Sequence, residues 1–164
     1  MATKSKKSQR KKPARGARKA APKRATKSPA LSPRRQPESL RLRSLAASLT
    51  VNNVAASIAW YRDVLRFMPG ERWEDDGKLR GIQMKAGLCD LMLSQDDFAK
   101  GRDRAKGDGV RLWLSTAQDI AAIAARIKAS GAKLDFEPRA MPWGDYAFAI
   151  TDPDGYKITV IQED

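Results

Sequence analysis

Histidine is absent from this chain of 164 residues, and cysteine occurs once, at Cys89. Imidazole is the commonest general base at neutral pH and the commonest transition-metal ligand, so Ser-His-Asp and Cys-His nucleophile sets and histidine-bound metals are excluded. A single cysteine cannot form an internal disulfide, which fits a reducing, intracellular compartment. Because Cys89 lies among Leu88, Leu91 and Leu93, we expect it to be a small buried hydrophobe.

Long apolar runs are also missing. Nothing approaches the roughly 20 consecutive apolar residues that span a bilayer, and the basic start is not followed by the apolar stretch of a secretory signal. No glycine-rich phosphate-binding loop is present. We therefore predict a soluble, cytoplasmic protein with no membrane partner.

Acidic residues are scarce in residues 1–43, where Glu38 stands against 16 Lys and Arg and the net charge is +15. Residues 44–164 carry a net charge of −2, so the positive charge of the whole chain (+13) comes entirely from its first quarter. This first quarter has few large apolar side chains and several prolines, and it cannot bury enough surface to offset the entropy of ordering. We predict that residues 1–43 form a disordered basic tail.

The tail resembles the Lys/Ala/Pro tails of linker histones in composition. A chain of this charge binds polyanions by releasing condensed counterions, so affinity would be independent of base sequence and steeply dependent on salt. This interpretation predicts a non-specific nucleic-acid partner and association with the nucleoid, through basic residues such as Lys6, Lys7, Arg10, Lys11 and Lys12. A solubilising extension is an equal alternative, and an organellar transit peptide is a third.

The remainder of the chain has the pattern of a repeat. Apolar residues alternate from position 45 to 51, which predicts a strand, and the spacing then becomes helical from Val54 to Leu65. Three short β-like runs follow, near 68–73, 79–85 and 88–94.

The same order returns about 60 residues later, with a strand at 110–114, a helix at 120–127 and strands near 133–137, 145–151 and 156–161. The fold class is therefore α+β, with two βαβββ modules that form a mixed, concave sheet cleft. We place module 1 at about 44–96, a linker at about 97–109 and module 2 at about 110–164. A helix covers one face of each sheet, which leaves a concave face for a ligand.

Two motifs carry a family resemblance. The segments LTVNN (49–53) and SIAWYRDVL (57–65) are similar to the opening strand and helix of the glyoxalase/bleomycin-resistance (vicinal oxygen chelate) superfamily, and PWGD (142–145) with TDPDGYK (151–157) resembles its final hairpin. The resemblance covers residues 45–162. Arg66 departs from it, since the family usually has glycine after this helix.

The resemblance implies a metal in many members, with ligands from the first and last strands of each module. Carried onto this chain, the four positions are Ala46, Met92 (or Asp90 in a shifted register), Arg111 and Thr159. Alanine has no donor, methionine is too soft for hard metals, arginine is a permanent cation and a neutral hydroxyl is a poor ligand. We therefore predict that the metal site is lost and that no cofactor is bound.

Alternation in the strands also predicts what lines the concave face. If Leu49, Val51, Leu112, Leu114, Ile158 and Val160 face the helices, their neighbours face the cleft. Arg111 would bind a carboxylate or phosphate, or alternatively form an ion pair with Asp90 that only fills the cleft. Trp113 would stack on a planar ligand or merely plug the cavity, and Trp143 lies where a lid could form. The predicted ligand-binding residues are Ser48, Thr50, Asp90, Met92, Arg111, Trp113, Trp143 and Thr159.

An intact fold signature beside a dismantled metal site predicts a metal-independent, homodimeric protein that binds or sequesters a small molecule. The first alternative is a nucleic-acid-associated accessory protein that acts through its tail. The second alternative is a lyase, isomerase or dioxygenase of the same superfamily. The missing ligands and histidines weigh against an enzyme.

Overall fold

The structure is a computed structural model that describes residues 44–163. The first half contains β1 (Ala47–Val51), α1 (Val54–Asp63), β2 (Met68–Asp75), β3 (Lys78–Ala86) and β4 (Cys89–Gln95). The second half contains β5 (Arg111–Thr116), α2 (Ile120–Ala129), β6 (Leu134–Ala140), β7 (Tyr146–Thr151) and β8 (Lys157–Gln162). The α+β class and the two βαβββ units are confirmed. The predicted disordered tail lies outside the described residues.

The strands form two four-stranded sheets with the same internal order. The first sheet is ordered β1-β4-β3-β2 and the second β5-β8-β7-β6. In each sheet the first strand pairs in parallel with the last, and the other pairs are antiparallel. Strands β1 and β5 are consequently edge strands, because each has one partner in its sheet.

Local sequence explains where α1 begins and ends. The side chain of Asn53 accepts a hydrogen bond from the Ala56 N–H (3.1 Å), which caps the first turn. At the other end the Phe67 N–H donates to the Tyr61 carbonyl (3.0 Å), and the residue just before Phe67 is left-handed, as is common where a helix ends. Arg66 supplies that residue with a φ of 62°. The arginine therefore keeps the turn in a conformation that glycine adopts at lower cost.

Alternation along the strands places the core as predicted. Leu49, Val51, Ile158 and Val160 are buried, and they belong to one apolar cluster that includes residues of both halves. Because side chains alternate across a strand, the intervening residues of β1 and β5 project from the opposite face of each sheet, which we call its open face. No helix within residues 44–163 has the length and hydropathy needed to cross a membrane.

The two halves are joined through polar groups at the β7–β8 turn. The Tyr61 hydroxyl on α1 donates to Asp152 (2.9 Å), and the Tyr156 hydroxyl donates to the Thr50 carbonyl on β1 (3.0 Å). The Asn52 N–H donates to Asp154 (2.8 Å). The TDPDGYK motif (151–157) therefore fixes the positions of the LTVNN (49–53) and SIAWYRDVL (57–65) motifs.

The segment between the halves, predicted as a linker, is anchored rather than loose. Asp96 forms ion pairs with Lys106 (2.8 Å) and Arg104 (2.9 Å), and the Lys106 side chain is almost completely buried. Gly107 lies so close to the turn that a Cβ atom there would be 2.5 Å from the Gly155 carbonyl oxygen. Absence of side chains at these glycines permits the close backbone approach.

Candidate functional site

Three predicted site residues meet on the open face of the second sheet. Trp113 on β5 is paired in register with Thr159 on β8, and Arg111 lies two residues before Trp113 on the same face. The Arg111 guanidinium donates a hydrogen bond to the Thr159 hydroxyl (3.0 Å). Thr159 is 2% exposed, whereas Trp113 is 51% exposed, so the hydroxyl supports the arginine while the indole faces solvent.

Trp143 joins this group from the connection between β6 and β7. Its ring centroid lies 5.7 Å from that of Trp113, with the two planes tilted by 56°. Two backbone hydrogen bonds close the loop that presents it, from Met141 N–H to the Asp145 carbonyl (2.7 Å) and from Gly144 N–H to the Met141 carbonyl (2.9 Å). Trp143 is 51% exposed. We call Arg111, Trp113, Trp143 and Thr159 the aromatic cluster.

The charge beside the aromatic cluster is positive. Lys157 is the register partner of Arg111 and is exposed, so two cationic side chains start from neighbouring positions of the sheet. The sequence reasoning missed Lys157, although its two-residue spacing from Thr159 on the same strand was a usable signal.

The predicted ion pair between Arg111 and Asp90 is wrong. No salt bridge joins these two described residues, and the acceptor of the Arg111 guanidinium is the Thr159 hydroxyl. Asp90 lies on the first sheet, in register with Lys85 of β3, whereas Thr159 is on the strand adjacent to Arg111. The nearer neighbour in the sheet therefore provides the acceptor.

The other predicted residues lie on the first sheet. Ser48 is paired with Met92, and Thr50 follows on the same face of β1. Ser48 is exposed, and Thr50 and Met92 are half-buried. Within residues 44–163, neither the hydrogen bonds nor the ring contacts of the aromatic cluster include these three side chains.

A cavity of about 360 Å³ lies between the two halves, and sequence reasoning did not predict it. Its apolar wall includes Ala47 and Leu91 from the first sheet and Leu112, Leu114 and Ile158 from the second. Of the predicted site residues, Asp90, Arg111 and Trp113 contribute to its lining. The cavity depends on how the halves pack together, which no local pattern encodes.

Cys89 is exposed, so the expectation that its thiol would be buried is wrong. It is the first residue of β4, immediately after the turn at Gly87, and it lines the cavity just described. The apolar neighbours in sequence misled the prediction, because only Leu91 and Leu93 extend far enough along the strand to enter the core.

The four positions implied for a metal do not fit one. Ala46 is exposed and has no donor atom, Met92 offers a thioether, and the Arg111 cation occupies the Thr159 hydroxyl through a hydrogen bond. In the described part of the chain, no three side chains of Cys, Asp and Glu are close enough to bind a metal ion. A divalent cation at these positions would face the Arg111 cation, and Asp90, the alternative in the shifted register, would supply a single carboxylate to compensate it.

One buried acid–phenol pair lies away from the aromatic cluster. Burial raises the pKa of Asp152, although hydrogen bonds from the Tyr156 N–H and the Tyr61 hydroxyl oppose that effect. Burial, reinforced by the Asp152 carboxylate, also raises the pKa of Tyr61. Both side chains are satisfied inside the protein and join the two halves, so their role is structural.

Comparison with known families gives one match that spans most of the chain. Residues 43–160 match the sequence model of the Glyoxalase/Bleomycin resistance protein/Dioxygenase superfamily. Among curated proteins, no sequence matches this chain.

Solved structures of related fold include TioX from Micromonospora sp. ML1, with 18% identity, a TM-score of 0.60 and coverage of 72% of this chain and 96% of that one. A superfamily member from Sphaerobacter thermophilus DSM 20745 has 21% identity, a TM-score of 0.60 and coverage of 72% and 94%. A lactoylglutathione lyase from Agrobacterium tumefaciens has 20% identity, a TM-score of 0.55 and coverage of 74% and 95%. At these identities the likeness establishes the fold alone.

Proposed function

The chain belongs to the glyoxalase/bleomycin resistance protein/dioxygenase superfamily, and from this premise we propose that it is a metal-independent protein that binds a small, planar, anionic molecule at the aromatic cluster. The observation that carries the proposal is the pair of half-exposed indoles beside Arg111. We keep the homodimer as part of the proposal, because members of this superfamily often dimerise.

The geometry of the tryptophans supports a planar ligand. Two large apolar rings remain in solvent although burial of an aromatic side chain is strongly favourable, and one of them is held by a closed loop. Tilted rings 5.7 Å apart offer an edge and a face to a flat guest. The two rings therefore form a hydrophobic surface that is already ordered before a ligand binds, which lowers the entropic cost of binding.

The cations beside the rings support a negative charge on that ligand. Arg111 uses one N–H for Thr159, and a guanidinium has five donors in a planar fork that matches a carboxylate. Lys157 adds a second positive charge close by. The hydroxyl of Thr159 fixes the orientation of the guanidinium, so less rotamer entropy is lost when an anion binds.

The chemistry of the family's metal positions supports metal independence. An exposed alanine, a thioether and a hydrogen-bonded arginine–threonine pair do not make a binding site for a hard divalent ion. One solved structure of similar fold is named as a lactoylglutathione lyase, and its likeness to this chain extends to the fold only. Lyase, isomerase and dioxygenase chemistry are therefore not part of the proposal.

We expect naphthoate to bind the full-length protein in isothermal titration calorimetry, and Trp143→Ala to weaken that binding roughly tenfold because a stacking face is lost. Replacement of the probe by neutral naphthamide should weaken it by a similar factor, since a charge-assisted hydrogen bond to Arg111 is removed. Arg111→Gln should abolish the difference between the two probes.

The matched control is Trp73→Ala, which removes a tryptophan that is 39% exposed on β2, outside the aromatic cluster. It should leave the affinity for naphthoate unchanged. Equal losses in the Trp73 and Trp143 variants, or equal affinity for the charged and neutral probes, would contradict the proposed site.

A second candidate function rests on the charge of the tail. Residues 1–43 carry a net charge of +15 in a chain whose remainder is slightly acidic. Charge segregated in this way favours binding of nucleic acid by the tail. This candidate is compatible with ligand binding and differs from it in partner and in location.

Simultaneous replacement of Lys6, Lys7, Arg10, Lys11 and Lys12 by Gln should reduce the magnitude of the slope of log Kobs against log salt for duplex DNA by about 4.5, because each lost phosphate contact changes the slope by about 0.9. Fluorescence anisotropy at several salt concentrations measures the slope. The matched control replaces five basic residues outside the tail by Gln, at Lys78, Arg80, Lys85, Lys100 and Lys133. This variant should leave the slope unchanged. Equal slopes in the two variants would eliminate the tail as the binding element.

A further inference from the structure

The cavity between the two halves reaches from the surface into the core. Its lining includes Leu45, which is 89% exposed, and the exposed Cys89, and it also includes the fully buried Tyr61 and Ile158. A space lined by both kinds of residue opens to solvent at one end and ends against core side chains at the other. A molecule can therefore enter without unfolding of either half.

The deep part of this cavity is apolar. Tyr61 contributes its ring, because its hydroxyl is already bonded to Asp152, and Leu91, Leu112 and Leu114 contribute aliphatic side chains. Water inside would find few hydrogen-bond partners. The volume of 360 Å³ lies within the range of natural ligand sites and far above that of ordinary packing defects.

The charged groups of the cavity belong to residues that are exposed or half-buried, so they lie toward its open end. Arg111 and Asp90 are the charged residues that line it. The register partner of Asp90 is Lys85 and that of Arg111 is Lys157, so three cationic side chains start close to a single carboxylate. The excess charge at the entrance is therefore positive.

We infer that this cavity is a second binding site, distinct from the open face of the second sheet, for an amphipathic carboxylate with an unbranched apolar body. The apolar body lies along Ala47, Leu91 and Leu114, and the carboxylate binds Arg111 at the entrance. The volume corresponds to about a dozen water-sized groups, and it admits a body of roughly ten carbons.

The site goes beyond the proposed function, since it has its own cavity and its own class of ligand. The two sites share Arg111 and Trp113 because β5 is an edge strand, whose residues border both the open face and the space between the halves. Variants of those two residues cannot separate the sites, so the decisive variants lie elsewhere.

Calorimetric titration of the full-length protein with decanoate, below its micellar concentration, tests the site. Ala47→Phe places a ring in the cavity and should weaken decanoate binding at least about tenfold, since the space for the chain is filled. The matched control is Ala125→Phe, the same substitution on the exposed face of α2, which should leave the affinity unchanged. Naphthoate binding should be unaffected by Ala47→Phe and reduced by Trp143→Ala, so the failure of one site is distinguishable from the failure of the other.

Head-group variants of the probe test the charge assignment. Decanol and decylamine should each bind at least about tenfold more weakly than decanoate, because neither makes a charge-assisted hydrogen bond with Arg111. Arg111→Gln should remove the advantage of decanoate over decanol. Tighter binding of decylamine would assign the entrance to Asp90 and overturn the inference for carboxylates.

The single cysteine supplies a readout that does not depend on any variant that must fold. Cys89 borders the cavity and is accessible, so a maleimide dye should label it rapidly in the free protein and several times more slowly with saturating decanoate. Equal labelling rates with and without decanoate, together with equal affinities in the Ala47 and Ala125 variants, would rule out occupancy of the cavity.

Discussion

Among single residues, Arg66 is a clear departure from local preference. It takes a left-handed φ of 62° at the end of α1, and its side chain is exposed. The family resemblance had marked this position, since related sequences usually have glycine there. The fold tolerates arginine because the hydrogen bond from the Phe67 N–H to the Tyr61 carbonyl is still made.

We predict that Arg66→Gly stabilises the protein by up to about 1 kcal/mol, because removal of the Cβ relieves the left-handed strain and little packing is lost. Urea denaturation measures the change. The same substitution at Arg126, an exposed position within α2, should destabilise by about 1 kcal/mol because glycine disfavours an ordinary helical conformation. Effects of the same sign at both positions would show that the φ angle of Arg66 is not what governs the result.

Among the elements, the segment after β4 is fixed by backbone contact as well as by charge. A Cβ atom on Gly107 would meet the Gly155 carbonyl oxygen at 2.5 Å and the Tyr156 Cα at 2.8 Å. Both neighbours are backbone atoms and cannot rotate away. The β7–β8 turn and the segment that joins the two halves are therefore in contact at a point where no side chain fits.

Gly107→Ala should destabilise the protein by about 3 kcal/mol, because it combines steric overlap with a positive φ of 75°. Gly109 has a φ of 72°, and a Cβ added there would meet no atom within 4 Å. Gly109→Ala therefore isolates the conformational cost and should destabilise by about 1 kcal/mol. Equilibrium unfolding in urea compares the two variants. Equal costs would mean that the contact with the turn relaxes without penalty.

For the molecule as a whole, stability toward acid depends on how the halves are joined. Hydrogen bonds from Lys106, the Phe98 N–H and Arg104 hold the pKa of Asp96 well below its usual range. The Asp96 carboxyl therefore binds a proton less tightly in the folded state than in the unfolded state. Its contribution to stability is fully present above the ordinary aspartate pKa, and it is lost as pH falls toward the lowered pKa of the folded state. Asp152, whose pKa is raised by burial, acts with the opposite sign.

Asp96→Asn should lower the melting temperature near neutral pH by roughly 5 °C or more, because it leaves the buried Lys106 ammonium without its carboxylate partner. The variant should also lose less stability than the natural sequence between about pH 7 and about pH 3, since the titrating group has been removed. Asp97→Asn is the control, at an exposed neighbour whose side chain accepts one backbone N–H (2.9 Å). Parallel stability curves for the Asp96 variant and the natural sequence would contradict this account.

Much of the fold was predictable because it follows from local periodicity. The alternation at Leu49 and Val51 and the helical spacing from Val54 arise from the geometry of each element alone, and the structure confirms both. The motifs at 49–65 and 142–157 identified the family for the same reason, since helix caps, strands and turns each require particular residues at particular positions. The predicted homodimer and the basic tail remain predictions.

The candidate site was only partly predictable. Residues separated by two positions on one strand were correctly placed on one face, as with Arg111 and Trp113, but the partner of Arg111 was wrong. The thiol of Cys89 was assigned to the core from its neighbours in sequence, and its position at the end of a strand exposes it.

The elements, their order and the alternation of side chains between the faces of each strand could be obtained from the amino-acid order, because they depend on residue type and on short-range geometry. Three features required the folded chain: which side chains meet across the sheets, how the segment 97–109 is anchored and where a cavity remains. Those features depend on the packing of surfaces distant in sequence, and packing is set by the shapes of many side chains at once.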